Sequence, residues 1–398
     1  MATVHLRAGR DRPVRGGHPW VLSGAVASVA GDPATGDVVE VAAADGSAIG
    51  RGFFAGKARI RVRMLTADPE VVIDDGFFAR RVERAVETRR RFGLPREDTT
   101  VYRLIHSEGD RLPGLVVDRY GEYLVVQVTV RGMERRREEV AGALAALPGI
   151  RGALLRTVGR RSGEEEVEAS DGPLFGEALP ERILVRENGV RFRVDGAGGQ
   201  KTGHFADHRE NRALVMRLAR GGRVLDAFTG TGGFALAAAV GGAEDVTGID
   251  SSPSSLAAAE ENVRANRLDA KRVRFVREDV FRALRRLEGE GAAFDLVVLD
   301  PPRMAASRRE VKGALRGYKE LNLRALRLVR DGGVLATASC TGMISEAEFT
   351  RTVRDAAFDA GRDFTIHHRT GQGPDHPWPL AAGEGRYLKM LTGVVRKH

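Results

Sequence analysis

The sequence contains very little cysteine: Cys340 is the only one among 398 residues. A single cysteine cannot form an internal disulfide, so a secreted domain held together by disulfides is excluded. No apolar run approaches the ~18 consecutive residues of a membrane-spanning helix, which excludes an integral helical membrane protein. The basic N-terminal segment has no apolar stretch behind it, as a secretory signal would require. These absences predict a cytoplasmic protein without membrane association.

Positive charge is what the sequence has in excess. The formal net charge is +9, and the apolar fraction of 42% is ordinary for a globular protein. This charge favours a polyanionic partner but says nothing about the fold. The arginine-dense stretches, such as residues 80–91, are interpreted as hydrated helix faces, with phosphate binding as the alternative.

The chain divides by pattern into three parts. Residues 1–75 consist of short alternating strands separated by glycine, the pattern of a small β-barrel. Residues 76–195 begin with a basic amphipathic helix over 76–92, contain a second helix over 133–146, and otherwise predict strands, so they form an α+β domain. A glycine-rich linker, DGAGGQKTG, ends this part.

Residues 196–398 alternate helix and strand, which predicts a parallel, doubly wound α/β sheet. Five strands in βα alternation are followed by a closing pair, giving a seven-stranded Rossmann-like plan. Ligands of such sheets bind outside the carboxyl ends of the strands. The chemically informative residues all fall at those ends.

The first strand of this domain runs into a glycine loop with the sequence DAFTGTGGFA. Gly230 and Gly232 allow a tight turn and a close approach to a ligand before the next helix begins. Asp250 ends the second strand, where a carboxylate can accept hydrogen bonds from ribose hydroxyls. The loop also satisfies the dinucleotide fingerprint, so these residues alone leave a NAD site open.

Two further carboxylates favour S-adenosylmethionine over NAD. Asp226 precedes the first glycine by four residues, where it can hold the ammonium of a methionine moiety but would repel a pyrophosphate. Asp279 ends the third strand and is placed to accept the adenine amino group. The fourth strand ends at Asp300-Pro301-Pro302. We therefore predict a methyltransferase.

Cys340 ends the fifth strand, which we expect to lie beside the fourth, so that Cys340 and Asp300 can face one substrate. Carbon 5 of cytosine is a poor nucleophile until a thiolate adds at C6. Asp300 can hydrogen-bond N3 or the exocyclic amine and stabilise the charge that develops there. A lone cysteine is more often a buried apolar residue, so its position is what favours a catalytic role.

Two other functions remain open. A D-P-P turn also presents a carboxylate and the Pro301 carbonyl to an exocyclic amine, so N-methylation of an RNA base is the alternative enzyme reaction. A barrel with a basic chain also suits a non-catalytic RNA-binding protein. The intact set of strand-end residues speaks against that second alternative.

With these motifs in hand, the chain resembles the PUA-domain-containing methyltransferases that make 5-methylcytosine in large-subunit ribosomal RNA. The resemblance covers nearly the whole length, from GHPWVLSGAV through GGQKTGHFADHRENR and LDPPRM to TASCTG and RYLKML. It implies a PUA barrel that binds RNA, a catalytic cysteine at Cys340, and Phe205 covering the cofactor. Met304 and Thr341 depart from the residues usual in the family.

His204 and His208 are spaced like metal ligands, but no third ligand follows and the chemistry needs no metal, so we predict none. The predicted partner is ribosomal RNA or an assembly intermediate. The sequence leaves a homodimer open. It identifies neither the target nucleotide nor the base that removes the C5 proton.

Overall fold

The structure of the chain is a computed structural model that describes residues 1–157, 164–168, 171–196 and 204–398. The described residues form two compact units. The first comprises Met1–Val185, Val194–Ala206 and Pro374–Gly385, and the second comprises Arg186–Arg193, Asp207–Gly373 and Arg386–His398. The predicted boundaries after residues 75 and 195 stay a prediction. Most of the predicted glycine-rich linker lies at 197–203, outside the described residues.

The N-terminal part of the first unit is a six-stranded sheet with the order β2-β6-β5-β4-β1-β3. Strand β1 pairs antiparallel with β3 and parallel with β4. Its elements are β1 (Thr3–Leu6), α1 (Arg12–Arg15), β2 (Trp20–Leu22), β3 (Val26–Ala30), β4 (Val38–Ala42), β5 (Ala48–Phe54) and β6 (Ile60–Thr66).

The second sheet of this unit has five strands in the order β11-β10-β9-β8-β7. Its elements are α2 (Asp75–Arg91), β7 (Val101–His106), β8 (Leu115–Tyr120), β9 (Tyr123–Val128), α3 (Arg131–Arg135), α4 (Arg137–Ala145), β10 (Gly152–Thr157) and β11 (Gly172–Gly176). The hairpin β12 (Arg182–Glu187) and β13 (Val190–Asp195) follows.

Helix α2 joins the two sheets of the first unit into one core. The Asp74 side chain caps its first turn by accepting a hydrogen bond from the Phe77 backbone N–H at 2.8 Å. Phe77 and Phe78 are buried in the same apolar cluster as Phe53 of β5 and Leu124 of β9. The N-terminal sheet is therefore not packed independently of the central one.

The predicted helix over 133–146 is interrupted in the structure. Arg136 has φ −99° and ψ 15°, outside the helical region, and it separates α3 from α4. The predicted helix over 76–92 is present as α2.

The second unit contains a seven-stranded sheet with the order β16-β15-β14-β17-β18-β20-β19. Only β20 runs antiparallel to its two neighbours, and the other pairs are parallel. The elements are α5 (Arg209–Leu218), β14 (Arg223–Ala227), α6 (Gly233–Val240), β15 (Asp245–Asp250), α7 (Pro253–Ala265), β16 (Val273–Arg277), α8 (Val280–Gly289), β17 (Phe294–Leu299), α9 (Val311–Leu328), β18 (Val329–Ser339), α10 (Glu346–Ala360), β19 (Arg362–Thr370) and β20 (Lys389–Lys397).

The predicted α/β class and seven-stranded plan are confirmed. The central strands are nearly continuous buried runs, as expected when helices cover both faces of a sheet. Strand β18 begins at Val329, directly after α9 ends at Leu328. No helix within the described ranges is both long and apolar enough to cross a membrane.

Candidate active site

The glycine loop between β14 and α6 is held in a conformation that only glycine adopts easily. Gly230 and Gly232 have φ of +54° and +87°. A Cβ atom at Gly230 would meet nothing within 4 Å, so the loop there borders open space. Phe228 also has a positive φ, 67°, a rare conformation for an aromatic residue. The chain thus turns sharply out of the sheet, leaving room for a ligand.

Asp226 lies at the end of β14 and is fully buried. Its Oδ2 accepts hydrogen bonds from Thr229 Oγ1 at 2.6 Å and from the Ala235 backbone N–H at 2.9 Å. Its Oδ1 has no hydrogen-bond partner among the described residues. Burial raises the pKa of Asp226 to about 7, although the two hydrogen bonds act in the opposite direction. A cation at Oδ1 would relieve this unfavourable state.

Asp250 and Asp279 both bind backbone N–H groups at strand ends. Asp250 Oδ2 accepts from the Gly230 N–H at 2.9 Å, and Oδ1 accepts from the Ser252 N–H at 2.9 Å. Asp250 therefore fixes the glycine loop from the neighbouring strand. The exposed Asp279 caps α8 through the Arg282 N–H at 3.1 Å. Its predicted contact with adenine stays a prediction.

One buried atom, Asp226 Oδ1, gives the strongest indication that these residues bind S-adenosylmethionine. The partnerless Asp226 Oδ1 is a buried acceptor of the kind that an ammonium group satisfies. The open space at Gly230 and the carboxylate of Asp250 suit the rest of a nucleoside ligand. A pyrophosphate would instead add negative charge beside buried Asp226.

Cys340 follows the last residue of β18, and Asp300-Pro301 follows β17. These strands are parallel neighbours, with Leu299 paired to Thr337. The Cys340 Sγ atom lies 3.8 Å from the Pro301 carbonyl oxygen. The structure thus brings together the thiol and the D-P-P turn, which are about forty residues apart in sequence.

Tyr318 of α9 holds the residues on both sides of Cys340. Its hydroxyl accepts a hydrogen bond from Ser339 Oγ at 3.0 Å and lies 2.9 Å from Thr341 Oγ1. Thr341 Oγ1 also accepts from the Met304 N–H at 3.2 Å. Met304 and Thr341, the two residues that depart from the resembled family, therefore contact each other. Tyr318 itself was not predicted, because it lies on an apolar helix face that is typical of core residues.

His208 is the main site residue that sequence reasoning missed. Its Nε2 atom lies 3.2 Å from Asp300 Oδ1, and the Asn211 amide contacts its Nδ1 at 3.0 Å. Burial disfavours the charged imidazole, but Asp300 and Asp207 outweigh this effect and raise the pKa of His208. His208 is 3% exposed, and its Nε2 atom faces Asp300 rather than solvent.

Phe205 and His204 are the remaining residues that the sequence singles out. Phe205 belongs to the first unit and is 56% exposed, and its predicted cover over the cofactor stays a prediction. His204 is buried in the same unit. Within the residues that the structure describes, no three His, Cys, Asp or Glu side chains form a group that could hold a metal ion.

The fold and the loop geometry together define a class of enzyme, the doubly wound S-adenosylmethionine-dependent methyltransferases. Residues 140–363 match the family described as "S-adenosylmethionine-dependent methyltransferase", and residues 4–67 match the "PUA-like domain" family. The predicted cofactor, S-adenosylmethionine, is thereby confirmed, as are the PUA-like and methyltransferase domains.

A protein of Aeromonas salmonicida named ribosomal RNA large subunit methyltransferase I is 40% identical over 393 residues, which is 99% of this chain and 98% of that protein. The chain belongs to this family. A candidate methyltransferase from Streptococcus mutans has the same fold, with a TM-score of 0.85 at 21% identity over 99% of this chain and all of that one. A second such structure, in complex with S-adenosylhomocysteine, has a TM-score of 0.87 at 22% identity over 99% and 100% of the two chains.

Proposed function

We propose that the chain methylates carbon 5 of a cytosine in large-subunit ribosomal RNA, through a covalent bond between Cys340 Sγ and C6 of the base. The observation that carries this proposal is the contact between Cys340 and the D-P-P turn, 3.8 Å from Sγ to the Pro301 oxygen. Only C5 chemistry needs a nucleophile at that place. N-methylation would use the Asp300-Pro301 turn alone.

The chain's own residues perform the base activation. The Cys340 thiolate adds its electron pair to C6, and the C5–C6 double bond becomes an enamine whose nucleophilic carbon is C5. S-adenosylmethionine, when bound, would supply an electrophilic methyl group, and cleavage of its S–CH3 bond would leave S-adenosylhomocysteine. After C5 has taken that methyl, a base removes the C5 proton and the electrons of that C–H bond re-form the double bond. The thiolate leaves from C6, so Cys340 is regenerated.

Asp300 stabilises the charge that thiolate addition places on the pyrimidine. Its Oδ1 contacts His208, so Oδ2 is the oxygen left to hydrogen-bond N3 or the exocyclic amine. Because Asp300 and Asp207 raise the pKa of His208, the pair retains a proton to higher pH than an isolated histidine would. A protonated His208 behind Asp300 can offset part of the negative charge that accumulates on the pyrimidine.

Ribosomal RNA is the proposed substrate because the family's curated relatives carry that substrate in their name. Arg324 and Arg327 of α9 do not support this electrostatically, since both are paired with Glu288. On α2, by contrast, Arg84, Arg90 and Arg91 are exposed and have no carboxylate within 4.0 Å among the described residues. This face of the first unit is a better phosphate-binding surface. Because thiols stay reduced in the cytoplasm, a catalytic thiol favours the cytoplasm as the place of action.

Trapping of the covalent bond tests the proposal. An RNA substrate with 5-fluorocytosine at the target carries fluorine where a proton must leave, so elimination stops and the adduct persists. We expect a stable protein–RNA complex on a denaturing gel and a peptide mass that assigns it to Cys340. Substrate with ordinary cytosine should give turnover and no complex.

Two variants separate carbon from nitrogen methylation. Cys340→Ala should abolish both adduct and turnover while S-adenosylhomocysteine still binds, and Cys340→Ser should fail almost as badly because an alcohol is a weaker nucleophile. Met343→Ala, at an exposed position in the same loop, is the matched control. Near-normal methyl transfer by Cys340→Ala would refute the C5 mechanism and favour N-methylation by Asp300-Pro301. If the wild-type protein binds neither S-adenosylmethionine nor S-adenosylhomocysteine, the non-catalytic alternative is favoured.

A further inference from the structure

Lys389 is a buried lysine at the start of β20, only 3% exposed. Its register partner on β18 is Ser339, the residue before Cys340. The Nζ atom donates to the Thr341 carbonyl at 2.7 Å and to the Ile344 carbonyl at 2.8 Å. Lys389 thus holds the loop that begins immediately after Cys340.

The ammonium of Lys389 lacks a carboxylate partner. No acidic side chain among the described residues lies within 4.0 Å of it, although two glutamates of α10 are nearby. Glu346 is paired with Arg386 at 2.7 Å, and Glu348 is occupied by the Ser345 cap. A buried charge without a close counter-ion is costly, so an anion beside Nζ would be stabilised there.

Cys340 is the group that can supply this anion. Burial lowers the pKa of Lys389 to about 8, and among the groups that oppose this lowering the Cys340 thiolate is the strongest. The two carbonyls take two of the three ammonium hydrogens, so among the residues that the structure describes one donor is left. Burial raises the pKa of the Tyr318 hydroxyl, and Cys340 and Asp300 act on it in the same direction, so these three groups face one region.

We propose that Lys389 is a positioning residue that stabilises the thiolate of Cys340 and fixes the loop behind it. The inference rests on the proposed function, in which that thiolate adds to C6. In that reaction, the ammonium favours the thiolate before addition and accepts it again when it is expelled. The Lys389 side chain is hydrogen-bonded to backbone carbonyls behind Cys340, so its effect on the reaction is exerted through that thiol.

The rate of thiol alkylation tests this inference without RNA. Because Cys340 is the only cysteine, iodoacetamide labelling followed by intact mass reports on one thiol. Lys389→Met should slow labelling about tenfold at pH 7 and move the pH midpoint upward by about one unit, the usual effect of removing an adjacent opposite charge. Lys389→Arg should keep most of the wild-type reactivity. Lys397→Met, which removes an exposed charge at the far end of β20, should change nothing.

A measurement on the wild-type chain keeps the proposal testable even if the Lys389→Met variant does not fold. The midpoint of labelling in the native protein should lie below the midpoint in guanidinium, where the thiol is exposed to water. An equal or higher native midpoint would overturn the proposal, as would an unchanged profile in a folded Lys389→Met variant.

The turnover of the variant distinguishes electrostatic from merely structural loss. Lys389→Met should lower kcat at pH 7 and recover much of it near pH 9, with unchanged affinity for S-adenosylhomocysteine. An equal loss at all pH values would mean that Lys389 only supports the fold. If labelling responds as expected while Cys340→Ala remains active, the thiolate assignment stands and the proposed C5 reaction fails.

Discussion

The protonation state of Asp226 should control the affinity for the cofactor. Asp226 is buried with a pKa of about 7, and its Oδ1 has no partner among the described residues. An ammonium binds the ionised carboxylate only, so binding must first remove the proton. With a pKa of about 7, ionisation rises from about a tenth at pH 6 to about nine tenths at pH 8. We therefore expect affinity for S-adenosylhomocysteine to rise about tenfold over that interval.

Calorimetry with two ligands isolates the effect. S-adenosylhomocysteine carries the ammonium, whereas methylthioadenosine has the same nucleoside without the amino-acid group and serves as control. Proton release on binding, measured in buffers of different ionisation enthalpy, should fall toward zero above pH 8. Asp226→Asn keeps an oxygen for Thr229 and Ala235 but should lose the pH dependence. Equal pH dependence for both ligands, or none for either, would refute an ammonium contact.

The same carboxyl links pH to the stability of the cofactor-free protein. Its pKa in the folded state is raised above the unfolded value of 3.8, so between these values the folded chain holds a proton that the unfolded chain has released. Unfolding free energy should therefore fall as pH rises from about 4 to about 7, as far as Asp226 contributes. Asp226→Asn should remove that contribution in denaturant titrations.

Two further predictions concern contacts between distant parts of the chain. His208→Gln should lower kcat at least about tenfold with unchanged cofactor affinity, because Asp300 loses its partner. The control variant His368→Gln, at an exposed position, should leave kcat unchanged. Equal kcat in both variants would contradict the role of His208. Glu187→Ala should lower the unfolding free energy by ~3–5 kcal/mol, since it leaves Arg212 buried without its 2.6 Å partner. Removal of an exposed pair by Arg285→Ala should cost under ~1 kcal/mol, and similar losses in the two variants would contradict this account.

The strand ends of the methyltransferase domain could be predicted because the sequence marks them twice. Each central strand is a continuous apolar run, and Asp226, Asp250 and Asp300 follow or close such runs. Parallel neighbours in a doubly wound sheet bring those ends to one edge. That topology alone was enough to predict that Cys340 and the D-P-P turn would lie at neighbouring strand ends.

The residues that support this site could not be predicted, because each contact joins positions far apart without a local signal. His208 looked like a metal-ligand candidate in its own segment, and only the fold brings it to Asp300. Tyr318 and Lys389 lie on an apolar helix face and in an apolar strand, which both predict core positions. Only the folded structure shows that their polar atoms contact the residues around Cys340.

Strand β20 has a further consequence for how the enzyme is made. It follows every other strand of its sheet in sequence, yet it lies between β18 and β19 and pairs with both. During synthesis, those two strands emerge earlier with unpaired edges, which can pair with other chains until β20 arrives. Lys389 begins that strand. The nascent chain therefore completes its sheet and gains the support for its thiol in the same late event.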